Sequence, residues 1–291
     1  MSKVPAGKEA VLLNLDETAV GYSMLGVKGF FKKKLVKRKN VGAHIRKKDL
    51  RGTITHVAVI ADRPDVQAVL PQVFIRNTHR FTLGLMKSAA AAAKPANVHL
   101  FRRKSSWNNM VNMSEILTLL SEALKAFPNL QPILIVDTVR CHIATELLTK
   151  AASLGLWLAP VPAGLTYLLQ PLDVSVFAAY KGFVRKVYRS LRLKHGIVSP
   201  ELWVQILFSV CVEFLSAKRW AAAFHTVGLG AVDSRLSQDM AKLFPNGRMR
   251  SVPAACLTVA ELSRILPKNF PTRLLLWVRA PLQRRRMLTI S

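Results

Sequence analysis

Two apolar runs in this chain end on an aspartate: Val11-Leu12-Leu13-Asn14-Leu15-Asp16 and Ile133-Leu134-Ile135-Val136-Asp137. A third aspartate closes Leu168-Leu169-Gln170-Pro171-Leu172-Asp173. Both runs read as buried strands. Acids are scarce, with 16 Asp and Glu against 43 Lys and Arg and a formal charge of +27. A chain this basic has little general use for carboxylates beside its core. Carboxylates at the ends of buried strands repel each other unless a cation sits between them. An all-carboxylate set suits Mg2+ or Mn2+, and a pair of such ions is the usual apparatus of phosphodiester chemistry.

The 291 residues hold one large domain or two modest ones, and a hydrophobic fraction of 51% supports a real core. The basic balance points to a polyanionic partner, nucleic acid before an anionic membrane. The longest apolar stretches, 154–169 and 202–217, are interrupted by Pro160, Pro162 and Gly164, or by Gln205 and Glu213, so no membrane span is expected. Met1–Ala10 is polar and reads as no signal peptide. Cys141, Cys211 and Cys256 form no CxxC pair, which fits a reducing, intracellular setting.

Along the chain, strands are expected over 11–20, 53–61, 69–76, 133–137 and 156–161. Helices are expected over 113–127, where Ile116, Leu119, Leu120, Ala123, Leu124 and Phe127 keep helical spacing, over 144–154, and from about Pro171 to Lys194. Residues 200–217 and 219–227 also read as helical, and 87–94 is an alanine-rich patch without an assignment. The order predicts an α/β fold: a mixed sheet whose first three strands are antiparallel, followed by parallel strands with helices.

In such a sheet the first strand lies beside and parallel to the Ile133 strand, so Asp16 and Asp137 meet at one end. Active sites of parallel sheets form at the carboxyl ends of strands. Asp173, at a helix start after the next strand, closes the site from the side. The three together can bind two divalent cations about 4 Å apart. The bland alternative is that each aspartate merely ends a strand or caps a helix. Asp62 is placed at the far end of the sheet, and Glu17 is expected to face away from Asp16 by strand alternation.

Other candidates carry a structural reading beside the functional one. His142 is a general acid–base or a structural histidine. Cys141 is a small buried hydrophobe. Trp157 and Tyr167 stack on an extruded base or pack the core. Residues 28–51 are dense in basic side chains, Lys32, Lys33, Lys34, Lys37 and Arg38 among them. They are a nuclear-import signal, a DNA-contacting loop or a solvated loop. Lys181, Arg185, Arg189 and Arg192 form one helical stripe that begins beside Asp173 and is either a phosphate-contacting, nucleic-acid-binding face or an ordinary helix surface.

The segment 133–181 resembles the core of pogo, jerky and centromere-protein-B-type transposases, which are DDE superfamily endonucleases. The resemblance is carried by Val136-Asp137, Cys141-His142, Val161-Pro162-Ala163-Gly164-Leu165-Thr166, Leu169-Gln170-Pro171-Leu172-Asp173 and Phe177. Asn14-Leu15-Asp16-Glu17-Thr18 resembles the first-aspartate motif, and Arg219–Phe224 with Gly228 a later helical segment. Thirty-five residues stand between Asp137 and Asp173, a separation typical of the superfamily. The resemblance implies a ribonuclease-H-like catalytic domain over 1–195, with a basic insertion at 22–52 and a helical C-terminal extension over 196–291. It also implies magnesium-dependent cleavage and joining of DNA strands, with Asp16, Asp137 and Asp173 as metal ligands.

Two departures stand out. Thr138-Val139-Arg140 replaces the family's Asn, small residue and Pro. The chain also opens almost directly on the first strand, where family members carry a helix-turn-helix region. The expected partner is DNA and not a membrane, the expected location is the nucleus, and the oligomeric state, a homo-oligomer included, stays open. The alternatives are a catalytically degenerate nucleic-acid-binding copy and a basic RNA-associated protein.

Overall fold

The computed structural model describes residues 4–21, 54–79, 82–91, 94–161, 165–195 and 198–229. The basic residues Lys32, Lys33, Lys34, Lys37 and Arg38, the turn at 162–164 and the chain from 230 onward lie outside the described residues.

Strand β1 (Glu9–Val20) is the hub. It pairs antiparallel with β2 (Ile54–Ala61) on one side and parallel with β5 (Leu130–Val136) on the other. Beyond β2 lies antiparallel β3 (Gln72–Asn77), and beyond β5 lies parallel β6 (Trp157–Pro160). An edge strand, β4 (Val98–Arg103), runs parallel to β3 and completes the order β4-β3-β2-β1-β5-β6. Among the described strands only β2 opposes the rest, so the carboxyl ends of the other five share one edge. The first three strands antiparallel, then parallel strands joined through helices, are the ribonuclease-H-like arrangement expected from the sequence.

Strand alternation divides β1 between two cores. Val11, Leu13 and Leu15 bury on one face with Val57, Val59 and Ala61 of β2. That face is covered by α3 (Met110–Leu124), whose Met113, Ile116, Leu117, Leu120 and Leu124 recur at helical spacing, and by α5 (Thr145–Ser153). The side chain of Asn109 caps α3 by accepting from Asn112 N at 2.9 Å. Gly155, at φ +73°, ends α5 as the left-handed residue a helix stop requires.

Leu12 and Val20 bury on the opposite face. There α7 (Phe177–His195), α8 (Pro200–Val210) and α9 (Ala221–Thr226) pack through Tyr180, Val184, Trp203, Phe208 and Phe224. Among the described residues no helix is long and apolar enough to cross a membrane.

A buried polar triad pins α7 to the sheet. His56 Nδ1 meets Tyr180 Oη at 2.7 Å and His56 Nε2 meets Gln72 Oε1 at 3.2 Å. Gln72 Oε1 also accepts from Val59 N, so it is an acceptor, and Nε2 of His56 carries the proton. Nδ1 therefore accepts from the tyrosine. Burial pushes the His56 pKa down to about 3 from 6.5. The unfolded chain takes up a proton below pH 6.5 that the folded His56 refuses until about 3, so this group lowers stability as pH falls through that window. Tyr180→Phe is expected to leave a buried acceptor without its donor and to cost about 1–3 kcal/mol in denaturant unfolding.

The sequence reading differs at several places. Strand β4 was not anticipated: it is short, and only Val98 and Phe101 bury, so it lacks an apolar run. The alanine-rich patch belongs to a helix, α2 (Leu83–Ala91). Strand β3 begins at Gln72 rather than Val69, because the short helix α1 (Pro64–Gln67) ends in a turn at 68–69.

Candidate active site

The parallel pairing of β1 with β5 runs from Glu9↔Leu130 to Asn14↔Ile135. Continued by two residues, the same register sets Asp16 opposite Asp137. Alternation places both on the face that carries Leu12 and Ile135. Asp137 lies just past the last residue of β5. Asp16 sits within β1, beyond its last pairing with β5, and is only 8% exposed.

Asp173 arrives by a different route. After β6 the short helix α6 (Thr166–Leu169) leads into a wide π-helical turn, Leu172–Val176, that continues as α7. Buried Asn14 anchors that turn. Its Oδ1 accepts from Leu172 N at 2.8 Å, while its Nδ2 donates to Ile135 O at 3.0 Å. Gln170, also fully buried, donates from Nε2 to Leu15 O at 3.4 Å. Two amides from β1 and the turn thus hold the Asp173 backbone against the two strands that carry the other aspartates.

The electrostatics register the crowding. Burial first, then the charges of Asp173, Glu17 and Asp137, push the Asp16 carboxyl up to about 8. Burial also raises Asp173, opposed by a hydrogen bond from Asp16 and by the charge of Lys181. Both carboxyls are thus held above the ordinary carboxylate range, as burial and neighbouring like charges require. Lys181, one position from the buried stripe of α7, is pulled down by burial and held up by Asp173 and Asp16. The basic stripe does begin at the carboxylates, and Arg185 follows on the next turn.

Asp137 behaves differently because of His142, on the single turn α4 (Arg140–Ile143). His142 is buried and bonds two carboxylates: Nδ1 meets Asp137 Oδ1 and Nε2 meets Glu17 Oε1 at 2.9 Å. Burial opposes a charge on this ring, but the bonds to Asp137, Cys141 and Glu17 outweigh it and push the pKa up to about 12. His142 is thus an imidazolium clamp. Burial raises Asp137, yet the hydrogen bond and charge of His142 dominate and leave it below the ordinary carboxylate range. Val139 N also donates to Asp137 Oδ1, at 3.2 Å.

Glu17 lies on the opposite face of β1 from Asp16, as alternation requires. It still reaches the site around the strand ends through His142, and Asn108 Nδ2 donates to its Oε1 at 2.5 Å. The sequence signal for Glu17 was its adjacency to Asp16. Asn14 and Gln170 stood only inside the motifs that carry the family resemblance, with no role of their own, and Asn108 gave no signal.

Other expected residues fall as follows. Asp62 is at the far end, where its Oδ1 accepts from Leu12 N at 3.1 Å. Trp157 is not beside the site: it pairs with Ile133, four residues before Asp137, which is about 13 Å along the strand. Tyr167, on α6 ahead of Asp173, is exposed. Cys141 is half-buried beside His142 rather than a core residue. Arg185 is half-buried and Arg189 exposed on α7.

No protein-family model matches the chain, and no curated protein matches it. Several solved structures do. The catalytic domain of Mos1 mariner transposase is 12% identical, over 75% of this chain and 82% of that one, at a TM-score of 0.35. The same domain with Raltegravir and Mn is 14% identical over the same shares, at 0.35. The Mos1 transposase paired-end complex with left transposon end is 14% identical at 0.37, and the chain spans only 56% of that transposase. Overlaps this loose decide nothing about residue roles, which rest on the geometry above.

The raised pKa of Asp16 has a measurable consequence. Unfolded, the residue loses its proton near 3.8, and folded near 8. Between those values the folded chain binds the extra proton, so stability falls as pH rises. Asp16→Asn removes that penalty. Its melting temperature is expected to exceed wild type by several degrees near pH 8 and by little near pH 4, read by thermal denaturation across pH.

Proposed function

We propose that this chain is a DDE-type, ribonuclease-H-like domain, of transposon descent, that binds DNA and cleaves it with divalent metal. The convergence of Asp16, Asp137 and Asp173 at the carboxyl edge of β1 and β5 carries this reading. Burial and mutual charge raise the Asp16 carboxyl to about 8 and Asp173 above its ordinary range, which fits a site built for positive charge. The donors are all oxygen, which fits Mg2+ or Mn2+. Asp16, Asp137 and Asp173 would hold the cations; a bound pair supplies an activated water or 3′-hydroxyl and a stabilised leaving oxygen.

The chain's own residues do the rest. His142 fixes the rotamer of Asp137 through Oδ1 and leaves Oδ2 as the oxygen for a cation. Asn14 and Gln170 hold the turn that presents Asp173. Lys181 and Arg185 lie next along α7, where the phosphates flanking a scissile bond would run. A nuclear setting follows from a DNA substrate and from the basic stretch 28–51.

The test is nicking of supercoiled plasmid by the full chain. Mg2+ or Mn2+ is expected to support it, and Ca2+ to bind without turnover. A second readout needs no activity: Mg2+ is expected to raise the melting temperature of wild type and leave Asp16→Asn unmoved, because binding to the folded form alone stabilises it. Absence of both responses overturns the metal reading. Thr138, standing where the family has asparagine, favours a second reading in which the domain binds DNA without cutting it. Metal-dependent stabilisation without nicking is the result that selects it.

A further inference from the structure

The Glu17–His142–Cys141 corner has a chemistry that the three aspartates do not share. A Glu17 carboxylate oxygen, the Cys141 sulfur and a His142 ring nitrogen lie within 4.8 Å of one another. The nitrogen on offer is Nε2, already 2.9 Å from Glu17 Oε1, because Nδ1 is engaged by Asp137. Imidazole, thiolate and carboxylate are a borderline-soft donor set. They suit zinc and its neighbours in the transition series and give no preference for magnesium.

We propose that Glu17, Cys141 and His142 form a separate transition-metal site, of the zinc class, with three protein ligands and an open fourth position. The arrangement around those ligands is what such a site needs. A ligating histidine ordinarily donates its other ring N–H to a carboxylate, which fixes the tautomer and the ring plane. His142 Nδ1 does so to Asp137. Asn108 Nδ2 donates to Glu17 Oε1 and orients that carboxylate. Cys141 and His142 are adjacent on the turn α4, so two ligands come preset, and β1 delivers the third.

Binding is a plain exchange. The ion takes the place of the proton that lies between Nε2 and Oε1, and the thiol gives up its own proton to become the ligand. Nδ1–H stays on Asp137. An ion here therefore stiffens the Asp137 rotamer from outside the aspartate cluster. The proposal rests on ligand geometry alone and holds whether or not the aspartates cut DNA.

Cobalt is the probe, because a thiolate bound to Co2+ gives a charge-transfer band in the near ultraviolet that nitrogen and oxygen ligands do not. The reduced full chain, titrated with Co2+, is expected to develop that band with one-to-one stoichiometry and to lose it on adding Zn2+. Cys141→Ser is expected to abolish the band although Cys211 and Cys256 remain. Glu17→Gln is expected to keep a band but weaken cobalt binding by about tenfold or more. Asp173→Asn is expected to leave the spectrum unchanged. Circular dichroism of each variant checks that it folds. No band in wild type, or a band that survives in folded Cys141→Ser, overturns the proposal.

Discussion

Asp137→Asn is expected to abolish metal-dependent nicking while leaving DNA affinity intact or slightly raised. The substitution is close to isosteric. An asparagine oxygen can still accept from His142 Nδ1 and Val139 N, the two bonds Asp137 makes at Oδ1. The fold and the clamp are therefore kept, and what is lost is the negative charge on the remaining oxygen. A cation worth several kcal/mol of charge stabilisation corresponds to about a thousandfold or more in rate. Affinity holds because one repelling charge near the phosphates has gone. Nicking retained within tenfold of wild type would exclude Asp137 as a ligand. Thr138→Asn is the companion experiment. Inert wild type with an active Thr138→Asn identifies a recently decayed site, whereas inertness in both, with metal bound, selects the binding-only reading.

The aspartate cluster was legible because its determinants are one-dimensional. A strand that buries both faces is a continuous apolar run, and parallel pairing fixes which ends meet. Knowing that β1 and β5 pair was enough to bring Asp16 and Asp137 together, and the register obliges. Asp62 was excluded correctly by the same logic, since β2 runs the other way. The helical stripe of α7 followed from spacing.

What was not legible depends on where loops return. Glu17 alternates away from Asp16, as expected, yet pairing on the β5 side has already ended at Asn14 and His142 folds across the gap. No spacing rule anticipates a side chain that reaches around a strand end. Trp157 is close to Asp137 and Asp173 in the chain but not in space, because a parallel strand puts its first residue at the opposite edge from its last. Strand β4 escaped because an edge strand with only two buried side chains carries no periodic signal. Asn14 was read as part of an apolar run; its role, holding Leu172 N, depends on a helix 158 residues away in the chain.

DNA affinity is expected to fall steeply with salt, and the α7 stripe is expected to supply a measurable part of the slope. Lys181, Arg185, Arg189 and Arg192 share one face of a single helix. Each phosphate neutralised on duplex DNA contributes about −0.9 to the slope of log affinity against log salt. Four contacts give about −3.6, which is about 150-fold between 50 and 200 mM salt. Replacing Lys181, Arg185 and Arg189 by Ala should flatten the slope by about 2.7 and weaken binding equally on unrelated sequences. The change in slope separates this stripe from the other basic segments, which persist in the variant. An unchanged slope, or a loss confined to one sequence, overturns the phosphate reading. Within the stripe Lys181 stands apart. The charges of Asp173 and Asp16 both reach it, so Lys181→Ala should reduce nicking beyond its share of binding, while Arg189→Ala, two turns further on, should reduce binding only.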